Sequence, residues 1–144
     1  MNQRVFIAAD FKRMRELLVD LFSSSAGFQL VGTACSEAEA TRWFEEHADA
    51  WDLAIIDLVL DEGSGTAVLR CAREQDQGGL IAVLSSCVTD TLREHCYALG
   101  ADKIFDEADT GRFILWLDKV GAGLPLQPMS PSRAAAAGAR ATAG

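Results

Sequence analysis

The stretch Leu53-Ala54-Ile55-Ile56-Asp57 decides the fold. Four apolar residues run without alternation and stop at a carboxylate. A strand with one wet face alternates apolar and polar residues, whereas an unbroken apolar run fits a strand covered on both faces. Two similar runs flank it. Val5-Phe6-Ile7-Ala8 leads to Ala9-Asp10, and Leu80 to Leu84 leads to Ser85-Ser86. Phe28 to Thr33 and the short Lys103-Ile104-Phe105 read as two further strands.

Helical periodicity fills the gaps. Met14, Leu17, Leu18, Leu21 and Phe22 fall at i, i+3, i+4, i+7 and i+8, which is one helical face, and Gly27 ends it. Ser36 with Glu39 is a capping-box pattern, opening a second helix that should bury Ala40, Trp43 and Phe44. The acidic, glycine-bearing loop Leu58 to Gly65 precedes a third helix with Val68, Leu69, Cys71 and Ala72 as core contacts, broken at Gly78-Gly79. Leu92, Cys96 and Leu99 share a face of a fourth helix closed by Gly100. Phe113, Trp116, Leu117 and Val120 mark a fifth. Strand and helix thus alternate as five βα units. Right-handed crossovers turn these into a three-layer α/β/α doubly wound parallel sheet, with the flavodoxin-like order 2-1-3-4-5.

The chain has 144 residues, enough for one domain. The βα units occupy residues 1–122. Residues 123–144 differ in kind: Pro125, Pro128 and Pro131 recur every third position, and Ala134 to Gly144 is Ala/Gly-rich. With no large apolar residue to bury there, disorder is expected. A net charge of −8 argues against direct DNA or RNA binding, which calls for a basic face. Cys35, Cys71, Cys87 and Cys96 lack metal-ligand spacing and read as small buried hydrophobes in a reducing compartment. No signal peptide is visible, and no apolar stretch approaches the ~20 residues of a membrane span. A cytoplasmic protein without membrane contact is expected.

Open α/β sheets bind ligands beyond the carboxyl ends of their strands, where strand order reverses. Asp10, Asp57, Ser85 and the Asp106-Glu107 pair stand at those ends. Asp10 and Asp57 should face each other. Two converging carboxylates invite a hard divalent cation such as Mg²⁺. The plainer reading has Asp10 capping the first helix and Asp57 capping a turn. Neither a dinucleotide turn nor a P-loop is present, because Ala8-Ala9-Asp10-Phe11-Lys12-Arg13 carries no glycine. Gly63-Ser64-Gly65 has the wrong spacing for a nucleophile elbow. His47 and His95 fall within predicted helices, away from the strand ends.

Several pieces in this order resemble the receiver domain of two-component response regulators, over about residues 4 to 121. They are Val5-Phe6-Ile7 leading to Asp10, Ala54-Ile55-Ile56-Asp57-Leu58 followed by Gly63 and Gly65, Val83-Leu84-Ser85-Ser86, and Ala98-Leu99-Gly100-Ala101-Asp102. The resemblance implies a single-domain receiver in a phosphorelay. Asp57 would accept a phosphoryl group from a histidine kinase or phosphotransfer protein. Mg²⁺ would be held by Asp57, Asp10 and the Val59 carbonyl, and Ser85 would be the switch hydroxyl. Any phosphotransfer would be self-directed, so the domain is a signalling element rather than an enzyme. Signalling to a downstream protein target would use the face of the fourth helix, fifth strand and fifth helix, which could also form a homodimer.

The chain departs from the receiver pattern at four positions. Ala9 replaces one acid of the usual pair, Asp61 stands where proline is usual, Ile104 takes the aromatic switch position, and Glu107 takes the place of the usual lysine. Lys103 and Lys12 are lysines near in sequence to the strand ends. An alternative reading follows from these departures: a phosphorylation-independent pseudo-receiver acting as a protein-binding module.

Overall fold

A computed structural model describes residues 3–9, 18, 20–22, 27–75 and 78–122. Five parallel strands form one sheet: β1 (Gln3–Ala8), β2 (Phe28–Ala34), β3 (Leu53–Asp57), β4 (Leu80–Ser85) and β5 (Lys103–Asp106). Their order is β2-β1-β3-β4-β5. The described helices are α1 (Glu37–Glu46), α2 (Gly65–Gln75), α3 (Asp90–Leu99) and α4 (Thr110–Ala122). They correspond to the second to fifth helices expected from periodicity. Of the first, Met14 and Leu17 lie outside the described residues, while Leu18 and Asp20 to Phe22 are helical.

The unbroken apolar strands do what their composition requires. All five residues of β3 are buried. Ala54 and Ile56 belong to the core layer under α1, α2 and α3. Leu53 and Ile55 belong to the opposite layer with Leu18, Phe22, Phe113, Trp116 and Val120. Each fully buried aliphatic side chain contributes about 1.5–3 kcal/mol, so a central strand with two apolar faces anchors both layers.

Local signals set the ends of the helices. The Ser36 side chain accepts the Glu39 N–H, capping α1. Thr89 does the same for α3 through the Leu92 N–H, and Gly100 closes that helix at φ +112°. Two expectations need correction. Trp43 is only partly buried: it lies over Gly32 and stacks between Phe6 and His47, because β2 is an edge strand with little above it. Of the four cysteines only Cys96 is fully buried. Cys35 and Cys71 are half-buried, and Cys87, in the turn after β4, is exposed. His47 is the C-cap of α1 rather than a residue inside it. Residues 123–144 lie outside the described residues.

Candidate functional site

The parallel register brings three strand ends together. Asp57 pairs with Leu84, so Ser85 stands one step beyond it on the neighbouring strand. Ser85 pairs in turn with Asp106, and its carbonyl accepts the Glu107 N–H at 2.9 Å. A cluster of acids and one hydroxyl therefore gathers at the carboxyl end of β3, β4 and β5. Asp10, expected beside it, lies outside the described residues.

Asp57 is 2% exposed and Ser85 7%. Asp57 Oδ1 accepts the Val59 N–H at 3.0 Å. The turn-capping role weighed from the sequence is thus present, but it uses one oxygen of a carboxylate with several lone-pair sites. The cap also turns Val59 outward, to 62% exposure. Gly65 starts α2, and its N–H donates to Leu58 O at 3.1 Å. A Cβ at Gly65 would collide with the Asp57 carbonyl oxygen. Only glycine lets the helix start so close behind the acid.

The loop between β3 and α2 is held from a second side. Glu37 Oε1 accepts the Ser64 N–H at 2.9 Å, and the Glu37 N–H donates to Glu62 O at 2.8 Å. Asp61 N–H donates to Cys35 O at 2.9 Å. Gly63, at φ +87°, packs its backbone against the Glu37 side chain. Sequence reading missed this clamp, because Glu37 and Ser64 are 27 residues apart. Its one visible signal was glycine at position 63. Cys35 sits beside Glu39 and Asp61. A hydrogen bond to the Glu39 carboxylate, reinforced by burial, pushes its thiol up to about 11, so it stays protonated.

Ser85 Oγ accepts the Cys87 N–H and donates to Cys87 O, both at 3.3 Å. These bonds are at the long limit for hydroxyl geometry and cost little to exchange for a better acceptor. Asp61, Ile104, Ala9 and Glu107, where the chain departs from the receiver pattern, behave differently. Ala9 is fully buried, its N–H bonded to Ala34 O at 3.0 Å. Asp61 is exposed. Ile104 is buried in the core layer with Val83 and Cys96. A β-branched side chain so packed has one preferred rotamer and cannot swing between core and solvent as a surface aromatic can. Glu107 is half-buried and lines a cavity with Leu18, Leu84 and Phe113. Lys103 stands away from the acids: Lys119 and Arg93 are its charged neighbours. Burial, with those two cations, lowers its ammonium below the usual lysine range. Lys12 lies outside the described residues. His95 is exposed on α3.

A hard divalent cation needs oxygen donors at this end of the sheet. Asp57 supplies carboxylate oxygen. The Val59 carbonyl accepts no hydrogen bond among the described residues, since Gly65 bonds to the carbonyl before it. No group of three or more His, Cys, Asp and Glu side chains suited to a metal occurs among the described residues. The donor set that fits is therefore Asp57 and the Val59 carbonyl, joined by Asp10 and solvent.

Three comparisons bear on this arrangement. The model of the response regulator receiver domain family matches residues 5–106. A solved two-component response regulator of the LuxR family from Aurantimonas sp. SI85-9A1 is similar at TM-score 0.74 and 22% identity, over 93% of this chain and 94% of its own. The response regulator domain of Thermotoga maritima CheB is similar at TM-score 0.72 and 20% identity, over 89% and 100%. A CheX–CheY–BeF3–Mg²⁺ complex from Borrelia burgdorferi is similar at TM-score 0.72 and 23% identity, over 82% and 88%. A search of the curated proteins found no match.

Proposed function

The chain belongs to the response regulator receiver domain family, and from that premise we propose that Asp57 accepts a phosphoryl group in a phosphorelay. The observation that carries this reading is the register that sets buried Asp57, exposed Val59 and weakly bonded Ser85 side by side at the strand ends. An Asp57 oxygen attacks phosphorus in line. The new O–P bond forms as the donor's P–N bond breaks, and the departing imidazole of a histidine kinase or phosphotransfer protein keeps its electron pair and takes a proton from solvent. Asp57, Asp10 and the Val59 carbonyl would hold Mg²⁺, which supplies neutralisation of the charge gathering on the phosphoryl oxygens. Ser85 exchanges its long Cys87 bonds for a phosphoryl oxygen. Its carbonyl bond to the Glu107 N–H carries that movement to the turn between β5 and α4. The face of α3, β5 and α4 would then meet a downstream protein or a second copy of the chain. Residues 1–122 would form the receiver, with 123–144 a tail.

Two features favour a second reading as a phosphorylation-independent binding module. Ala9 contributes no carboxylate for a cation, and Glu107 sets an acid near a dianionic product. At ~4 Å and an effective dielectric near 20, such repulsion is worth about 4 kcal/mol.

One experiment separates the readings. The chain is incubated with acetyl phosphate and Mg²⁺ and examined by intact mass. One added phosphoryl group, absent in Asp57→Ala and faster in Glu107→Lys, is expected. No adduct in the wild type or in Glu107→Lys would leave the binding module as the function.

A further inference from the structure

A cavity of about 210 Å³ opens between the described part of the first helix and α4. Leu18, Leu21, Leu84, Phe113 and Ile114 make its apolar walls. Asp106 and Glu107, at the end of β5, also line it. Pockets for drug-sized ligands run ~300–1,000 Å³, so this one suits a single side chain rather than a cofactor. Ile114 is 42% exposed, which leaves the cavity within reach of another protein.

The lining dictates the occupant. A purely apolar group would shield two carboxylates from water and return nothing for it. An anion would be repelled. A side chain with an aliphatic stem and a cationic head satisfies both parts of the lining, because lysine and arginine pack their stems on apolar surface and keep the charge at a polar edge. No lysine or arginine among the described residues lines the cavity. The chain's net charge of −8 draws basic segments toward it. Asp106 Oδ1 accepts the Ala108 N–H at 2.9 Å, which fixes that carboxylate in place.

We propose that this cavity receives an arginine or lysine side chain from a protein partner, its stem among Leu18, Leu21, Phe113 and Ile114 and its head against Glu107 and Asp106. The Glu107 N–H bond to Ser85 O puts the docked cation beside the end of β4. Docking here does not depend on phosphorylation of Asp57, and its test uses no phosphodonor.

The test is a methyl NMR titration of the full chain with n-butylguanidinium. Saturable shifts of the Leu18, Leu21 and Ile114 methyls are expected. Glu107→Gln should weaken binding about threefold to tenfold, as for a half-exposed ion pair. Ile114→Trp, at a half-exposed position, should fill the cavity and abolish the shifts while the rest of the spectrum stays folded. Equal binding of n-butanol, or no loss in Glu107→Gln, would overturn the proposal in favour of a merely apolar pocket. Spermidine binding more than tenfold tighter than an Arg-bearing pentapeptide would assign the cavity to a small polyamine instead. Shifts seen only in Lys12→Ala would make the occupant this chain's own lysine and overturn a partner's role.

Discussion

At the amino end of the sheet, Asp102 and Asp52 each hold an arginine; at the carboxyl end, Asp57 and Asp106 hold backbone N–H groups two residues along. Arg73 Nη2 meets Asp102 Oδ2 at 3.1 Å, with both side chains largely buried. The same Asp102 oxygen accepts the Ile81 N–H at 2.9 Å, while Arg73 also donates to Gly100 O and Gly79 O. Arg4 and Asp52 pair near the surface at 3.1 Å. These contacts join segments far apart in the chain. Those of Asp57 and Asp106 are local, so they shape a loop without neutralising a charge. One end of the sheet consumes its carboxylates in holding the fold. The other keeps its charge available to a cation or a reacting group.

The sharpest way to break this contrast is at Arg73. Arg73→Met should cost about 3–5 kcal/mol in urea unfolding, because it leaves Asp102 as a buried charge without its cation. A loss below ~1 kcal/mol would erase the distinction between the two ends.

Gly65→Ala comes next. Its new Cβ would push on the Asp57 carbonyl, and overpacking of this kind costs about 1–3 kcal/mol. Intact-mass assays with acetyl phosphate should also show slower phosphoryl uptake, since the loop carrying Val59 must shift.

Asp57→Asn should change stability by less than about 1 kcal/mol, because the amide oxygen can still accept the Val59 N–H. The same variant should take up no phosphoryl group. Destabilisation as large as that of Arg73→Met would mean that Asp57 is structural too.

The smallest effect is expected at Asp52. The Arg4 guanidinium bonded to it holds its carboxyl below the usual range. The folded state therefore binds a proton less readily than the unfolded one. The pair's contribution is fully present above the unfolded carboxylate value near 3.8 and fades as pH falls through the lower folded value. Both side chains are over a third exposed, so Asp52→Asn should cost under about 1 kcal/mol near neutral pH, with no difference from wild type in strong acid.

Much of the scaffold was legible before any coordinates. The apolar runs at Val5, Leu53 and Leu80 marked central strands, since no exposed strand can afford two apolar faces. The Ser36 cap and Gly100 stop were readable because both act within four residues. Asp57 was readable as a strand end. The fate of Ala9, Ile104 and Glu107 was not, because what a substituted side chain does depends on neighbours from other elements.

Sequence alone determined the alternation of strand and helix, the order in which strands join, and which residues end them. Those properties follow from local periodicity, chain connectivity and the handedness of crossovers, all of which are written along the chain. Tertiary structure alone decided that Arg73 neutralises Asp102, that Glu37 grips the loop after β3, and that Glu107 faces an apolar cavity beside Leu18. Each is a meeting of side chains distant in sequence. The strength of a charge contact depends on distance and burial, and folding creates both.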